Sequence, residues 1–165
     1  MTRGYLDTNF VYGHLRATRD TGPEALESWR TRAISALGPD SGVISALVLD
    51  ELAYRLVLAW LRDDGDPDPL STYRRHATEV MHTVRRRLTA AWETVDALQL
   101  ELQPTDQAVV DRARSLMARP GLAPRDAFHA AHALAAGCEL IVSSDRGFDR
   151  VGGLHRLGPD RSDQL

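Results

Sequence analysis

Apolar residues along this chain fall into short blocks whose period switches between that of a strand and that of a helix, and the switches lay out the elements. Tyr5 and Leu6 close a short strand that stops at Asp7, and the apolar positions from Phe10 to Leu15 begin a helix. Gly22-Pro23 opens a second helix, with Leu26, Trp29, Ala33 and Leu37 at helical spacing, and Gly38-Pro39 stops it. Gly42 to Ser45 reads as a buried strand. From Ala46 to Leu61 the chain is apolar nearly all round, the pattern of an internal helix, and Glu51 sits inside it. Gly, Pro and Asp cluster between Arg62 and Pro69 as an exposed loop. Leu70, Tyr73, Ala77, Met81, Val84, Leu88, Ala91 and Val95 then recur every three or four residues, which describes one long amphipathic helix or two in succession.

Leu98, Leu100 and Leu102 alternate as a strand does, Pro104 ends that run, and Val109, Ala113, Leu116 and Met117 mark a further helix broken by Pro120-Gly121. Pro124 starts a last major helix that Gly137 closes. CELIVSS follows as a strand reaching Asp145, and His155 to Leu157 form a short edge strand. Strands alternating with helices predict an α/β fold with a central parallel sheet of four to five strands. Parallel neighbours need crossovers, and right-handed crossovers put helices on both faces.

Composition narrows this to one soluble domain over residues 1–165. The chain has 165 residues, 43% of them hydrophobic and 26% charged, enough apolar material for a real core. No apolar run approaches the roughly 20 residues a membrane helix needs, and the N-terminus lacks a leader pattern, so a cytoplasmic protein with no membrane association is expected. Cys138 is the only cysteine, which excludes an internal disulfide and a thiolate metal cluster within one chain. The net charge of −3 excludes binding nucleic acid by bulk attraction, so any such contact must be local. Arg74, Arg75, Arg85, Arg86 and Arg87 do concentrate in one stretch, as a basic face or simply a solvated one.

Four acids carry the chemistry. Asp7, Glu51, Asp126 and Asp145 lie at four separated junctions, each beside an apolar segment. Asp7 and Asp145 follow strands, and the ligand crevice of an open α/β sheet lies outside the carboxyl ends of its strands. Asp126 occupies the first turn of its helix, where the macrodipole favours negative charge. Glu51 is expensive to bury ionised among Leu47, Leu52 and Leu58 unless a cation or a donor meets it. Hard divalent cations choose carboxylate oxygens, so the set predicts metal-assisted chemistry on a phosphate ester. Four crowded carboxylates cannot all ionise comfortably without metal, so at least one should have a raised pKa. Each acid also has a simpler explanation: Asp7 as a helix N-cap, Glu51 paired with Arg55 one turn on, Asp126 balancing the dipole, Asp145 as a turn residue.

YLDTNFVYG near the N-terminus, ISALVLDEL in the middle, RDAFHAAHAL later, and IVSSDRGF followed by VGGLHRL at the end together resemble the PIN-domain ribonucleases, in particular the VapC-type toxins of toxin–antitoxin pairs. The resemblance covers nearly the whole chain. It implies a three-layer PIN-like sandwich and Mg²⁺- or Mn²⁺-dependent endoribonuclease activity, leaving 5′-phosphate and 3′-hydroxyl ends. By motif, Asp7, Glu51, Asp126 and Asp145 match the metal-binding acids, Asn9 matches a supporting polar residue, and Ser143 stands where many members have threonine. Gly147 fills a place that is often acidic in the family, and Asp149 is the candidate substitute. The resemblance also implies an antitoxin partner and a homodimer.

A basic surface must offset the acids if RNA is to approach. Arg125, beside Asp126, is the closest candidate for a phosphate contact, with Arg75 and Arg86 on the arginine-rich stretch. His129 and His132 fall at successive turns after Asp126, but no second His- or Cys-bearing motif completes a zinc site, so they read as structural, with His129 an outer group near the metal site. Trp29, Trp60 and Trp92 lie in apolar helical patterns and read as packing. Alternatives are a catalytically impaired PIN fold serving as a binding module, a stand-alone RNA-processing nuclease, and a phosphoaspartyl enzyme. The last is disfavoured because Asn9, not a second aspartate, stands two places after Asp7.

Overall fold

The computed structural model describes residues 2–17 and 24–159. Five strands, β1 (Thr2–Leu6), β2 (Leu37–Ser45), β3 (Glu101–Gln103), β4 (Leu140–Val142) and β5 (His155–Leu157), form one parallel sheet in the order β3-β2-β1-β4-β5. Among the described residues, seven helices surround it: α1 (Thr8–Ala17), α2 (Glu24–Ala36), α3 (Ala46–Asp63), α4 (Pro69–Arg75), α5 (Ala77–Asp96), α6 (Gln107–Ala118) and α7 (Pro124–Ala135). A 3-10 turn, Arg146–Arg150, links β4 to β5. The chain steps outward from β1 through β2 to β3, then returns through α6 and α7 to β4 on the other side of β1. That reversal puts the switch point of the sheet between β1 and β4, where such folds leave their crevice.

The hydrophobic core joins Tyr5, Val43, Ile141 and Val142 of the sheet to Val48, Leu52, Leu56 and Val57 of α3 and to the alanine face of α7. Ala127, Ala130, Ala131 and Ala133 are all fully buried, so α7 lies close against the strands. Its ends are fixed locally: Pro124 sits in the first turn, and Gly137 takes φ +69, which lets the Cys138 amide donate back to the Ala133 carbonyl at 2.9 Å. Cys138 is buried, and burial pushes its thiol up to about 11.

Several boundaries differ from the sequence pattern. β2 is longer than Gly42–Ser45, because its first part pairs with β1 across a register shift between Thr2 and Gly4, in the stretch holding Pro39. The Gly22-Pro23 start of α2 lies outside the described residues. Helix α3 is not internal all round: Val48, Leu52, Leu56, Ala59 and Trp60 are buried, while Asp50, Tyr54 and Arg55 face outward. Of the two readings for the stretch after the loop, two helices in succession is the one found, and the loop is confined to 64–68 because Asp68 caps α4 through the Ser71 amide and Pro69 opens it. The Leu98, Leu100, Leu102 alternation shrinks to the three-residue edge strand β3. Gln99 turns through φ 50, and Leu102 is 54% exposed.

Candidate metal centre

The carboxyl ends of β1 and β4 bring the first acids together. Asp7, 5% exposed, leaves β1 directly into α1. Its Oδ1 accepts from the Thr8 amide at 2.7 Å, and its Oδ2 accepts from the Ser143 hydroxyl at 2.6 Å and the Asn9 side-chain amide at 2.7 Å. This is more than a helix cap, since the acceptors reach across to the β4 exit. Ser143 Oγ also accepts from Asn9 Nδ2 at 3.1 Å and from the Asp145 amide at 3.0 Å, while Asn9 Oδ1 accepts from the Ser144 amide at 3.1 Å. Asn9 and Ser143 thus stitch the start of α1 to the loop that carries Asp145.

Glu51 enters from the second turn of α3. Its Oε2 accepts from the Thr8 hydroxyl at 2.7 Å and from His129 Nε2 at 3.1 Å, and Arg125 Nε lies 3.4 Å from Oε1. Arg55 does not pair with it but lies over the Tyr12 ring, 4.2 Å from the centroid. Asp7, Glu51 and His129 each offer a donor atom within 4.8 Å of the others. Asp126, in the first turn of α7, and the exposed Asp145 lie outside that trio, near enough for their charges to act on one another. Burial raises the Asp126 carboxyl above its ordinary range, and the charges of Asp145, Asp7 and Glu51 push it further. Asp7 is raised as well, by burial above all and slightly by Glu51, against the opposing pull of His129, Ser143 and the Thr8 amide. Burial also acts to raise Glu51, but the hydrogen bonds from His129 and Thr8 and the charges of His129 and Arg125 outweigh it, so its carboxyl lies below the ordinary range. Two carboxyls held reluctant to ionise in a cluster of oxygen donors are what a hard divalent cation would relieve, so the donor set fits such an ion.

The remaining sequence candidates are placed as follows. Asp145 caps the 3-10 turn by accepting from the Gly147 amide at 2.6 Å, and a Cβ on Gly147 would lie 3.0 Å from Asp145 Oδ1, so the glycine leaves that carboxylate uncrowded. Asp149 is gripped by Arg156, whose Nε and Nη2 donate to it at 3.0 and 3.3 Å. Arg125 is exposed at the rim. Arg75 and Arg86 are exposed on α4 and α5, neither within ion-pairing distance of the four acids, and Arg87 is bound to Asp64 by two hydrogen bonds of 2.8 and 2.9 Å. His132 faces away from the acids, with Nε2 3.3 Å from Thr105 Oγ1. Arg156 escapes sequence reasoning, since an arginine in a short edge strand carries no signal of being 4% exposed.

A family model, the PIN domain, matches residues 4–154. The chain belongs to the PIN-domain family. No curated protein sequence matches it. Solved structures share the PIN fold at low identity. FitAcB from Neisseria gonorrhoeae is 20% identical, with a TM-score of 0.57 over 94% of this chain and 97% of that one. VapBC2 from Rickettsia felis, bound to a DNA fragment from its promoter, is 15% identical, with a TM-score of 0.55 over 93% and 96%. A toxin–antitoxin complex from Klebsiella pneumoniae is 16% identical, with a TM-score of 0.51 over 94% and 97%. No helix among the described residues of this PIN domain is long and apolar enough to cross a membrane.

Proposed function

We propose that this PIN domain is a divalent-metal-dependent endoribonuclease, the toxin of a type II toxin–antitoxin pair, working in the cytoplasm as a homodimer. The observation that carries the nuclease reading is the meeting of Asp7, Glu51 and His129 within 4.8 Å of one another beside the switch point of the sheet, with Asp126 and Asp145 near enough for their charges to be felt. The toxin reading is supported by the toxin–antitoxin complexes among the structures of the same fold.

Asp7, Glu51, Asp126 and Asp145 would hold Mg²⁺ or Mn²⁺. When bound, the ion neutralises phosphate charge and makes water a better nucleophile at neutral pH. The chain's own residues prepare that site. Ser143 and Asn9 fix the orientation of Asp7, Thr8 fixes Glu51, and Arg125 at the rim offers a cation to an incoming phosphate. A groove of about 580 Å³ adjoins Glu51, the one of the four acids that lines it, together with Tyr54, Tyr73, Met81 and Arg125, and gives a single strand room on that side. Arg75 and Arg86 would add weaker, screened contacts along α4 and α5. A second reading, a PIN fold that binds without cutting, draws on Gly147 having no side chain and Asp149 being held by Arg156.

Mn²⁺ titration calorimetry paired with cleavage of a single-stranded RNA separates them. The parent should bind Mn²⁺ and cut, and Asp7→Asn should lose both. A parent protein that binds Mn²⁺ but leaves RNA intact supports the binding module, and one that does neither overturns the metal-centre reading altogether.

A further inference from the structure

Arg125 is oddly placed for its own helix. It follows Pro124 in the first turn of α7, where the macrodipole favours negative charge, so the dipole of α7 works against a cation there. Its partner lies on another element. Nε sits 3.4 Å from Glu51 Oε1, and the arginine side chain is 69% exposed while that of Glu51 is 12% exposed. The guanidinium thus reaches in from solvent to cover a carboxylate of the metal centre.

The two oxygens of Glu51 are used differently. Oε2 is engaged from inside the fold, by the Thr8 hydroxyl at 2.7 Å and by His129 Nε2 at 3.1 Å. On Oε1 the contact among the described residues is Arg125, at a distance beyond the about 2.7–3.2 Å of a usual N–H···O bond. Charge alone holds it, and an ion pair this open to solvent is weak. A divalent ion held by Glu51 carries twice the charge of the guanidinium and repels it, so the two compete for one carboxylate. The arginine is the one that can leave, because its side chain is mostly in water. It need not go far: Arg125 and Glu51 line the same groove, with Tyr54, Tyr73 and Met81, so a phosphate of a strand in that groove comes within its reach. A planar guanidinium binds phosphate through paired hydrogen bonds, a closer match than its single contact with Glu51.

We propose that Arg125 exchanges partners: it covers Glu51 while the centre holds no ion, and it passes to a phosphate of the RNA once an ion takes that carboxylate. The inference rests on the metal-centre reading, in which Glu51 helps to hold the ion, and adds to it a coupling between ion and RNA. Without the ion, Arg125 is spent on Glu51 and contributes little to RNA binding. With the ion it is released, so the ion tightens RNA binding and, by reciprocity, RNA tightens ion binding. A permanent phosphate contact would show no such dependence, and a plain surface ion pair would leave RNA binding untouched.

The test compares the full-length parent with Arg125→Gln, and with Arg125→Lys as a variant that keeps the charge. The position is exposed, so neither change threatens the fold. Calorimetry with Mn²⁺ alone should show Arg125→Gln binding the ion about 2- to 5-fold more tightly, because a weak competitor has gone, and Arg125→Lys close to the parent. Fluorescence anisotropy then follows a labelled single-stranded RNA with phosphorothioate linkages, which resist hydrolysis, in EDTA and in saturating Mn²⁺. In EDTA, parent and Arg125→Gln should bind it within about twofold of each other. In Mn²⁺ the variant should bind more weakly than the parent by about tenfold, with a salt slope shallower by roughly 0.7, the mark of one lost phosphate contact. An unchanged or weakened Mn²⁺ affinity in Arg125→Gln overturns the proposal. So does a loss of RNA affinity that is the same with and without the ion, or no loss in either condition. A parent that binds no Mn²⁺ sinks the metal-centre reading and this inference with it, whereas a parent that binds Mn²⁺ beside a variant that behaves identically sinks this inference alone.

Discussion

Burial and mutual repulsion lift the carboxyls of Asp7 and Asp126, while donors from His129 and Thr8 draw Glu51 the other way, so the three have opposite effects on stability. For Asp7 and Asp126 the folded state holds the proton more tightly than the unfolded chain, so stability falls as pH rises from the ordinary carboxylate range through their raised values. For Glu51 the contribution is present above its unfolded pKa and is lost as pH falls through its folded one. Metal-free protein should therefore melt at a lower temperature at neutral pH than in the mildly acidic window above Glu51's ordinary range. Mn²⁺ should reverse this at neutral pH, by about 2.7 kcal/mol at a hundredfold excess over Kd. Asp126→Asn should melt at or above the parent without metal and gain less from Mn²⁺. Thermal melts at two pH values, with and without the ion, check this, and a metal-free melting temperature that climbs steadily to neutrality speaks against it.

The 3-10 turn after β4 holds Asp145 in place and is itself braced from β5. Arg156, with a side chain 1% exposed, grips Asp149 and also donates to the Ser143 carbonyl at 3.2 Å. Asp149→Ala should cost about 2 kcal/mol in denaturant unfolding, the scale of a hydrogen bond to a charged group, and leave Mn²⁺ affinity unchanged. A drop in affinity with stability intact would instead make Asp149 part of the metal centre. Elements whose ends are set by local chemistry were legible in the sequence, as with α7, framed by Pro124 and Gly137. The reach of β2 and the shortness of β3 were not, because strand length depends on which partner lies alongside. Asp7, Asp126 and Asp145 stood out because each sits where an apolar block ends or a helix begins, and Glu51 because it is an acid inside an apolar helix. The work of His129 did not, since its partners Tyr5 and Glu51 lie 124 and 78 residues away along the chain.

Across the whole molecule, one parallel sheet with its reversal at β1 and β4 explains why residues so far apart in sequence share an edge. Alternation of strand and helix gave that architecture from the sequence, but not the strand order, which follows from the crossover through α6 and α7. Both strands that lead into the acids occupy interior positions, each paired on two sides, while β3 and β5 form the rims. Amides of β1 and β4 should therefore exchange with deuterium only when the entire domain opens, whereas those of β3 should exchange earlier by local fraying. Equal protection across all five strands would contradict this. A consequence is that Asp7, at the end of an interior strand, keeps its place for as long as the sheet stands, so a cation held there would act as a latch on the molecule as a unit.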